Sequence, residues 1–578
     1  MNHGPQTRFA DQLHAQKYRG EGESFREAMN RVAAGLTSGK DEYEQFRSIL
    51  MDQRFLPGGR IQSAIGSTKR VTPYNCYVSG TIDDSFVDGA GSIMQRAKEA
   101  AATMRMGGGI GYDFSTLRPR GAEIRKLGSR SSGPISFMEI FDAVCRCTAS
   151  SGHRRGAQMG VLRVDHPDIE EFVHAKQNAD RLTGFNISIG ITDEFMRCVE
   201  NGWEFSLRWG GQEYRKIDAK ALWDTIMRST WDWAEPGVLF IDRINHMNNL
   251  WYCERIAATN PCGEQPLPPH GACLLGSFNL VKYLKAVGPD GQMTIPPVKG
   301  SRYLFDVDLF FQDIPLVVRA MDRVVDVASY PLREQEVEAH MKRRMGLGVT
   351  GLANTIEAIG HPYGSEEFLG MQRTILGLLR NTAYKASALL AKERGRFPVF
   401  QRDDYLAGNF VKQLPPDVRD LIAEHGMRNS HLLSIAPTGT ISMCADNVSS
   451  GIEPVFAYEA IRRIETPDGP EEFLVKDFGA EFLGVRGKVA SEVTAQEHLA
   501  VLATAYPYVD SAVSKTCNVP SSMDWDEFKN IYMAAWKAGC KGCTTYREGG
   551  KRGAVIERVD ESKSLCRLDP TTGRKECE

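Results

Sequence analysis

The sequence predicts an α/β fold. Short apolar runs such as Gly237-Val-Leu-Phe-Ile241 and Leu433-Ser-Ile-Ala436 alternate with longer helical stretches such as 306–328 and 368–394, the pattern of strands covered by helices. A second observation sets the scale: 578 residues with 42% hydrophobic content can bury a large core. No self-similar period of about 20–50 residues is apparent, which argues against a solenoid or propeller.

Three stretches follow one another along the chain. Residues 1–54 are charged with intermittent apolar positions, as in Phe25-Arg-Glu-Ala-Met-Asn-Arg-Val32 and Tyr43-Glu-Gln-Phe-Arg-Ser-Ile-Leu50, and predict a small helical layer, too short for a further regulatory nucleotide domain. Residues 55–556 carry the alternating pattern and are expected to form one large α/β unit. Residues 557–578 are polar, contain Cys566 and Cys577, and are expected to be a flexible tail.

Composition narrows the function. A net charge of −3 gives no reason to expect a nucleic-acid partner. The first ten residues lack the apolar core of a signal peptide, and no apolar run of about 18 residues occurs, so a cytoplasmic protein with no membrane contact is expected. Thirteen cysteines, an odd number spread over a long chain, do not suit a secreted disulfide scaffold and are instead buried, metal-bound or catalytic.

The most informative segment is Asn260-Pro261-Cys262-Gly263-Glu264, followed by Cys273 in Ala272-Cys-Leu-Leu275. Pro261 disfavours helix at Asn260 and Gly263 permits a tight bend, so a short extended loop is expected with Asn260, Cys262 and Glu264 on one face. That set suits one-electron chemistry on a hydroxylated substrate. The sulfur takes or returns a hydrogen atom, the carboxylate handles a hydroxyl proton, and the amide holds the oxygen. A lone cysteine near a glutamate is more often a small buried residue beside a surface charge, so the surrounding text must decide.

That text resembles the ribonucleotide reductases. The resemblance runs through Arg54-Phe-Leu-Pro-Gly-Gly-Arg60, Asn75-Cys-Tyr-Val78, Gly152-His-Arg-Arg-Gly156, Phe185-Asn-Ile-Ser188, the Cys262 segment, Ala436-Pro-Thr-Gly-Thr-Ile-Ser442 and Gly542-Cys-Thr-Thr-Tyr-Arg547, in the family's order along most of the chain. It implies a ten-stranded α/β barrel with a finger loop through its centre. It also implies radical-based reduction of ribonucleotides, with diphosphates as the expected substrates. Cys262 would carry the thiyl radical, Glu264 would take the 3′-hydroxyl proton and Asn260 would orient the sugar oxygens. Cys76 and Cys273 would supply two electrons by closing into a disulfide.

The wording is closest to the class II, adenosylcobalamin-dependent branch. Class I chains receive the radical through adjacent tyrosines, but Thr544 and Thr545 stand at those positions. Class III chains need a glycyl-radical segment, which Arg547-Glu-Gly-Gly-Lys-Arg552 does not resemble. Adenosylcobalamin is therefore the expected cofactor, although Asp165-His166-Pro167 fails the cobalamin-binding histidine motif. The alternatives are a class I-type large subunit relaying through Tyr546 from a metal-bearing partner, and a catalytically silent nucleotide sensor or zinc-stabilised binding protein.

Further positions follow from the resemblance. Thr438, Gly439, Thr440 and Ser442 would hold the substrate phosphates, with Thr72 at the sugar end; the same text could equally be an ordinary helix cap. Residues 126–155 and 176–184 would be the two loops that bind a dNTP or ATP specificity effector at a homodimer interface, with Lys176, Gln177 and Arg181 as contacts, although glycines and mixed charges also describe plain solvent loops. Cys566 and Cys577 are expected to be a tail dithiol that passes electrons from thioredoxin or a glutaredoxin-type reductant to the Cys76–Cys273 pair. A zinc site made with Cys540 and Cys543 is the competing assignment, disfavoured by the wide second spacing. No metal is expected at Cys76, Cys262 and Cys273.

Two glycine clusters read as packing. Gly346-Leu-Gly-Val-Thr-Gly351 matches a dinucleotide fingerprint, but charged, helix-like text precedes it where a buried strand is required. Met106-Gly-Gly-Gly-Ile-Gly111 follows a helical run and suits close backbone approach.

Overall fold

The computed structural model describes residues 3–124, 127–150, 154–178, 180–290, 292–294, 301–466, 469–551, 566–568 and 575–577. The N-terminal layer is three helices, α1 (Arg8–Tyr18), α2 (Phe25–Leu36) and α3 (Lys40–Met51). The α2 helix begins at a capping box in which Ser24 and Glu27 satisfy each other's backbone. It buries Phe25, Ala28, Met29, Val32 and Leu36, one stripe at helical spacing.

A sheet of ten strands follows. In chain order these are β1 (Phe55–Pro57), β2 (Cys76–Val78), β3 (Gly109–Asp113), β4 (Gln158–Arg163), β5 (Phe185–Ile191), β6 (Gly237–Phe240), β7 (Ala272–Asn279), β8 (Met345–Thr350), β9 (Thr516–Val519) and β10 (Gly542–Arg547). Their spatial order is β1-β7-β2-β3-β4-β5-β6-β10-β9, with β8 on the other edge of β7. The strands from β2 to β6 run parallel to their neighbours. The β7 strand is antiparallel to β1 and β2 and parallel to β8, and the β6–β10 pair is antiparallel. Such strands are buried on both faces and read as continuous apolar text; every residue of β7 and of β8 is buried.

The expected helices at 306–328 and 368–394 are Val307–Val327 and Glu366–Arg394. The apolar run Leu433–Ala436 departs from the expected strand. It makes only single bridges, Leu347 to Leu433 and Ile435 to Val513, and so links β8 to the segment leading into β9. Gly346 and Gly348 lie inside β8 and not in a strand–helix turn. A Cβ at Gly348 would sit 2.3 Å from the Ser434 carbonyl oxygen, so bare backbone is required there.

Of the expected tail, the described residues form two short antiparallel strands, Cys566–Leu568 and Lys575–Cys577, whose backbone register sets Cys566 opposite Cys577. In the first expected effector loop, Lys126 and residues 151–153 lie outside the described residues. No described helix is long and apolar enough to cross a membrane.

Candidate active site

The Cys262 segment is the tip of a small hairpin, Ala258–Thr259 pairing antiparallel with Pro266–Leu267. Its tip differs from the expected extended loop. The Gly263 N–H donates to the Asn260 carbonyl at 3.1 Å and Gly263 takes φ of 80°, so the chain folds into a tight turn. The turn separates the three side chains by burial. Cys262 is exposed, whereas Asn260 and Glu264 are each 1% exposed.

The sheet grips this tip through its backbone. Asn186 of β5 donates its side-chain amide to the Pro261 carbonyl at 2.9 Å. The Ser434 hydroxyl and the Ala512 N–H both donate to the Glu264 carbonyl at 3.0 Å. A Cβ on Gly111 would lie 1.8 Å from the Thr259 carbonyl oxygen, and one on Gly109 would lie 3.0 Å from the Pro261 ring. The glycines of β3 therefore clear the space in which the hairpin lies, the packing role expected for that cluster.

Cys76 and Cys273 are direct partners across the antiparallel β2–β7 pair. Opposed residues in such a pair bring their Cβ atoms to about 4.5–5.5 Å, close to what a disulfide requires. Both are free thiols and both are buried. The Asn260 amide donates to Cys76 Sγ at 3.1 Å, and Cys76 Sγ faces Glu264 Oε1 at 3.7 Å. Burial pushes the Cys76 thiol far up, reinforced by the neighbouring Glu264 carboxylate. Burial likewise raises Cys273. It also raises the Glu264 carboxyl, against the lowering effect of Asn260, and leaves Glu264 Oε2 with no partner. Glu264 thus presents an unpartnered carboxylate oxygen beside the Cys76 thiol in the lining of a cavity.

A cavity of about 550 Å³ opens over this cluster, lined by Cys76, Asn260, Cys262 and Glu264 at one part and by Thr438, Gly439 and Thr440 at another. The family description "ribonucleotide reductase, barrel domain" matches residues 75–477 and 487–546. The chain belongs to the ribonucleotide reductase family. It is 35% identical to the vitamin B12-dependent ribonucleoside-diphosphate reductase of Mycobacterium tuberculosis, over 95% of this chain and 79% of that one. The protein of the same name from Thermoplasma acidophilum is 32% identical over 92% of this chain and 68% of its own. The ribonucleoside-diphosphate reductase subunit alpha of Chlamydia muridarum is 24% identical over 85% of this chain and 53% of its own.

Other expected site residues fall elsewhere. Thr72 does not line the cavity: its hydroxyl is fully buried at 2.6 Å from the Tyr77 hydroxyl. Ser442 also lies outside the lining, with its hydroxyl at 3.0 Å from that of Ser450. Thr438 takes φ of 50°, and its hydroxyl bonds to Thr350 at 3.0 Å and accepts the Gly451 N–H at 2.8 Å, so it shapes the turn beneath the cavity. In the expected effector loop, Lys176 pairs with Glu235 at 2.7 Å, Gln177 bonds to His174 at 2.8 Å and Arg181 pairs with Glu139 at 2.6 Å.

Cys540 and Cys543 are buried in the body of the protein, and no metal-binding cluster occurs among the described residues. Sequence reasoning assigned no role to Lys17, Arg60, Asn75 or Ser277, all of which line the cavity. Arg60 lies within a family-like stretch, but nothing in its spacing marks it as a site residue.

Proposed function

We propose that this chain reduces ribonucleoside diphosphates to 2′-deoxyribonucleotides by thiyl-radical chemistry in a closed ten-stranded barrel. The observation that carries the reading is that Cys76, which lines the cavity together with Cys262, Asn260 and Glu264, stands opposite the buried Cys273 on the neighbouring strand. The relatives named as vitamin B12-dependent support adenosylcobalamin over a class I relay. On β10, Thr545 is buried at 2.8 Å from the Tyr532 hydroxyl, and a threonine hydroxyl is not a practical redox relay.

The cavity fits the cofactor's reactive portion. Cys262 is exposed, and a Cβ on Gly263 beside it would meet nothing within 4 Å; Gly109, Gly156 and Ala157 offer lining with little or no side chain that would hold the nucleoside part. When bound, adenosylcobalamin supplies an alkyl radical through its weak cobalt–carbon bond.

Cys262, as a thiyl, takes the hydrogen atom from C3′ of the ribose. Glu264, with a free oxygen, accepts the 3′-hydroxyl proton, and Asn260 orients the sugar oxygens. Water leaves from C2′ as the buried thiol pair supplies two protons and two electrons, and a disulfide forms between Cys76 and Cys273. Cys262 then returns its hydrogen atom to C3′, and Glu264 returns its proton to the 3′ oxygen. The high thiol pKa values suit this sequence, because they keep both sulfurs protonated until the leaving hydroxyl needs a proton. Cys566 and Cys577 re-reduce the disulfide by exchange, drawing electrons from a thioredoxin-type protein, and a dNTP or ATP effector at a homodimer interface selects the base.

Turnover of the purified chain with CDP, adenosylcobalamin and dithiothreitol tests the reading. Deoxycytidine diphosphate is expected without any second subunit; activity that appears only with a metal-bearing partner refutes it.

A further inference from the structure

The cavity carries two cations that the reaction above does not use. Its described charged lining consists of Lys17, Arg60 and Glu264, and Glu264 is buried against the Cys76 thiol. Lys17 lies in the last turn of α1. Arg60 lies in α4 (Gly59–Ala64), directly after β1.

Both are brought to the cavity by packing that is otherwise hard to explain. Phe9, Leu13 and Tyr18 of α1 share an apolar cluster with Ile441 and Cys444, so α1 docks on the segment that follows Thr438–Thr440. The Asp446 carboxylate reinforces the dock by accepting the Gln6 and Thr7 N–H groups at 2.9 and 2.8 Å. A Cβ on Gly59 would lie 2.7 Å from the Tyr18 hydroxyl, so the end of α1 sits directly on the start of α4. A Cβ on Gly107 would lie 2.5 Å from Arg60 Cζ, so the guanidinium rests on bare backbone at the cavity wall. Beside these groups, a Cβ on Gly439 would meet nothing within 4 Å, which leaves the Thr438–Thr440 part of the wall open to a ligand.

We infer that Lys17 and Arg60 are the residues that recognise the terminal phosphate of the substrate and set its preference for a diphosphate over a monophosphate. The inference rests on the reading of the cavity as a ribonucleotide site and adds the charge discrimination that the thiols and Asn260 cannot supply. A diphosphate carries more negative charge than a monophosphate, and a planar guanidinium beside a mobile ammonium suits its outer oxygens. The N-terminal layer thereby contributes to substrate selection as well as to covering the sheet.

Equilibrium binding of CDP and CMP to the full-length, cobalamin-free protein, by calorimetry, tests this directly. Wild type is expected to bind CDP more tightly than CMP. Lys17→Gln and Arg60→Gln should each weaken CDP binding about tenfold, equivalent to about 1.4 kcal/mol, with much less effect on CMP. Arg60→Lys should fall between, since it keeps the charge and loses the fork. In turnover the loss should fall on KM for CDP more than on kcat, and the dependence of KM on salt should flatten in both glutamine variants. A CDP-to-CMP ratio unchanged in both variants overturns the inference while the wild-type chain still reduces CDP. A wild-type chain that reduces no ribonucleotide overturns the underlying reading instead. Lys17 is exposed, so its variant is readable even if Arg60→Gln fails to fold.

Discussion

Cys76 on β2 faces Cys273 on β7 as an antiparallel cross-strand pair, and the Asn260 amide of the finger hairpin touches the Cys76 sulfur at 3.1 Å. The strand register makes the two thiols neighbours, and the exposed Cys262 lines the same cavity as Cys76.

The three thiols should therefore fail differently. Cys262→Ser should reduce deoxynucleotide formation on the order of 10³-fold or more and abolish substrate radical formation. Cys76→Ser and Cys273→Ser should still permit exchange of the 3′ hydrogen, then stall or release free base. Tritium release from 3′-labelled substrate separates the two patterns, and normal product from Cys262→Ser would disprove the assignment.

Glu264 predicts an acid limb in the rate. Burial raises its carboxyl, and the proposed step needs the ionised form, so kcat should fall as pH drops through a value above that of an ordinary carboxylate. Glu264→Gln should lower kcat about 10²–10⁴-fold and remove that limb. A pH–rate profile of the variant that keeps the wild-type limb would assign it to another group.

Glu357 predicts a pH-dependent stability unrelated to catalysis. Burial pushes its carboxyl up to about 7, from 4.5 in the unfolded chain, while Oε1 accepts the Tyr363 and Lys488 N–H groups at 3.1 and 2.8 Å. Because the folded value is the higher one, the contribution is complete below the unfolded pKa and is lost as pH rises through the folded one, about 3 kcal/mol in all. Glu357→Gln keeps the acceptor, so relative to wild type it should gain stability across this window. Denaturant titrations at pH 5 and pH 8 measure the difference.

Gly111 tests the seat of the finger. A methyl there would overlap the Thr259 carbonyl oxygen, which is backbone and cannot swing aside. Gly111→Ala should cost about 3 kcal/mol or displace the hairpin and its Cys262 with large loss of activity. An alanine variant with wild-type stability and rate would contradict the packing.

The tail pair predicts reductant selectivity. Cys566→Ser with Cys577→Ser should largely remove thioredoxin-supported turnover and spare much of the dithiothreitol-supported rate, because a small dithiol reaches the cavity unaided. Equal thioredoxin-driven rates in wild type and double variant would exclude the shuttle, and loss of bound zinc with both rates falling together would support the metal site.

By itself the sequence pointed to the α/β class and a helical N-terminal layer, and its family-like text singled out the candidate reacting residues. The first two rest on local periodicity, and the candidate residues rest on the resemblance of the text around Asn260–Glu264, Cys76 and Cys273 to the family. It also identified the glycine clusters as packing, since a fingerprint without its preceding buried strand lacks the context for phosphate. The tertiary structure gave the strand register that sets Cys273 opposite Cys76, as the resemblance implied, and it alone decided that the finger tip is a turn with Cys262 exposed and that Thr72 and Ser442 lie outside the cavity lining while Lys17 and Arg60 belong to it. The physical reason is that strand register and helix docking are set by pairing between distant segments, and a shift of one residue in β7 would carry Cys273 to the opposite face.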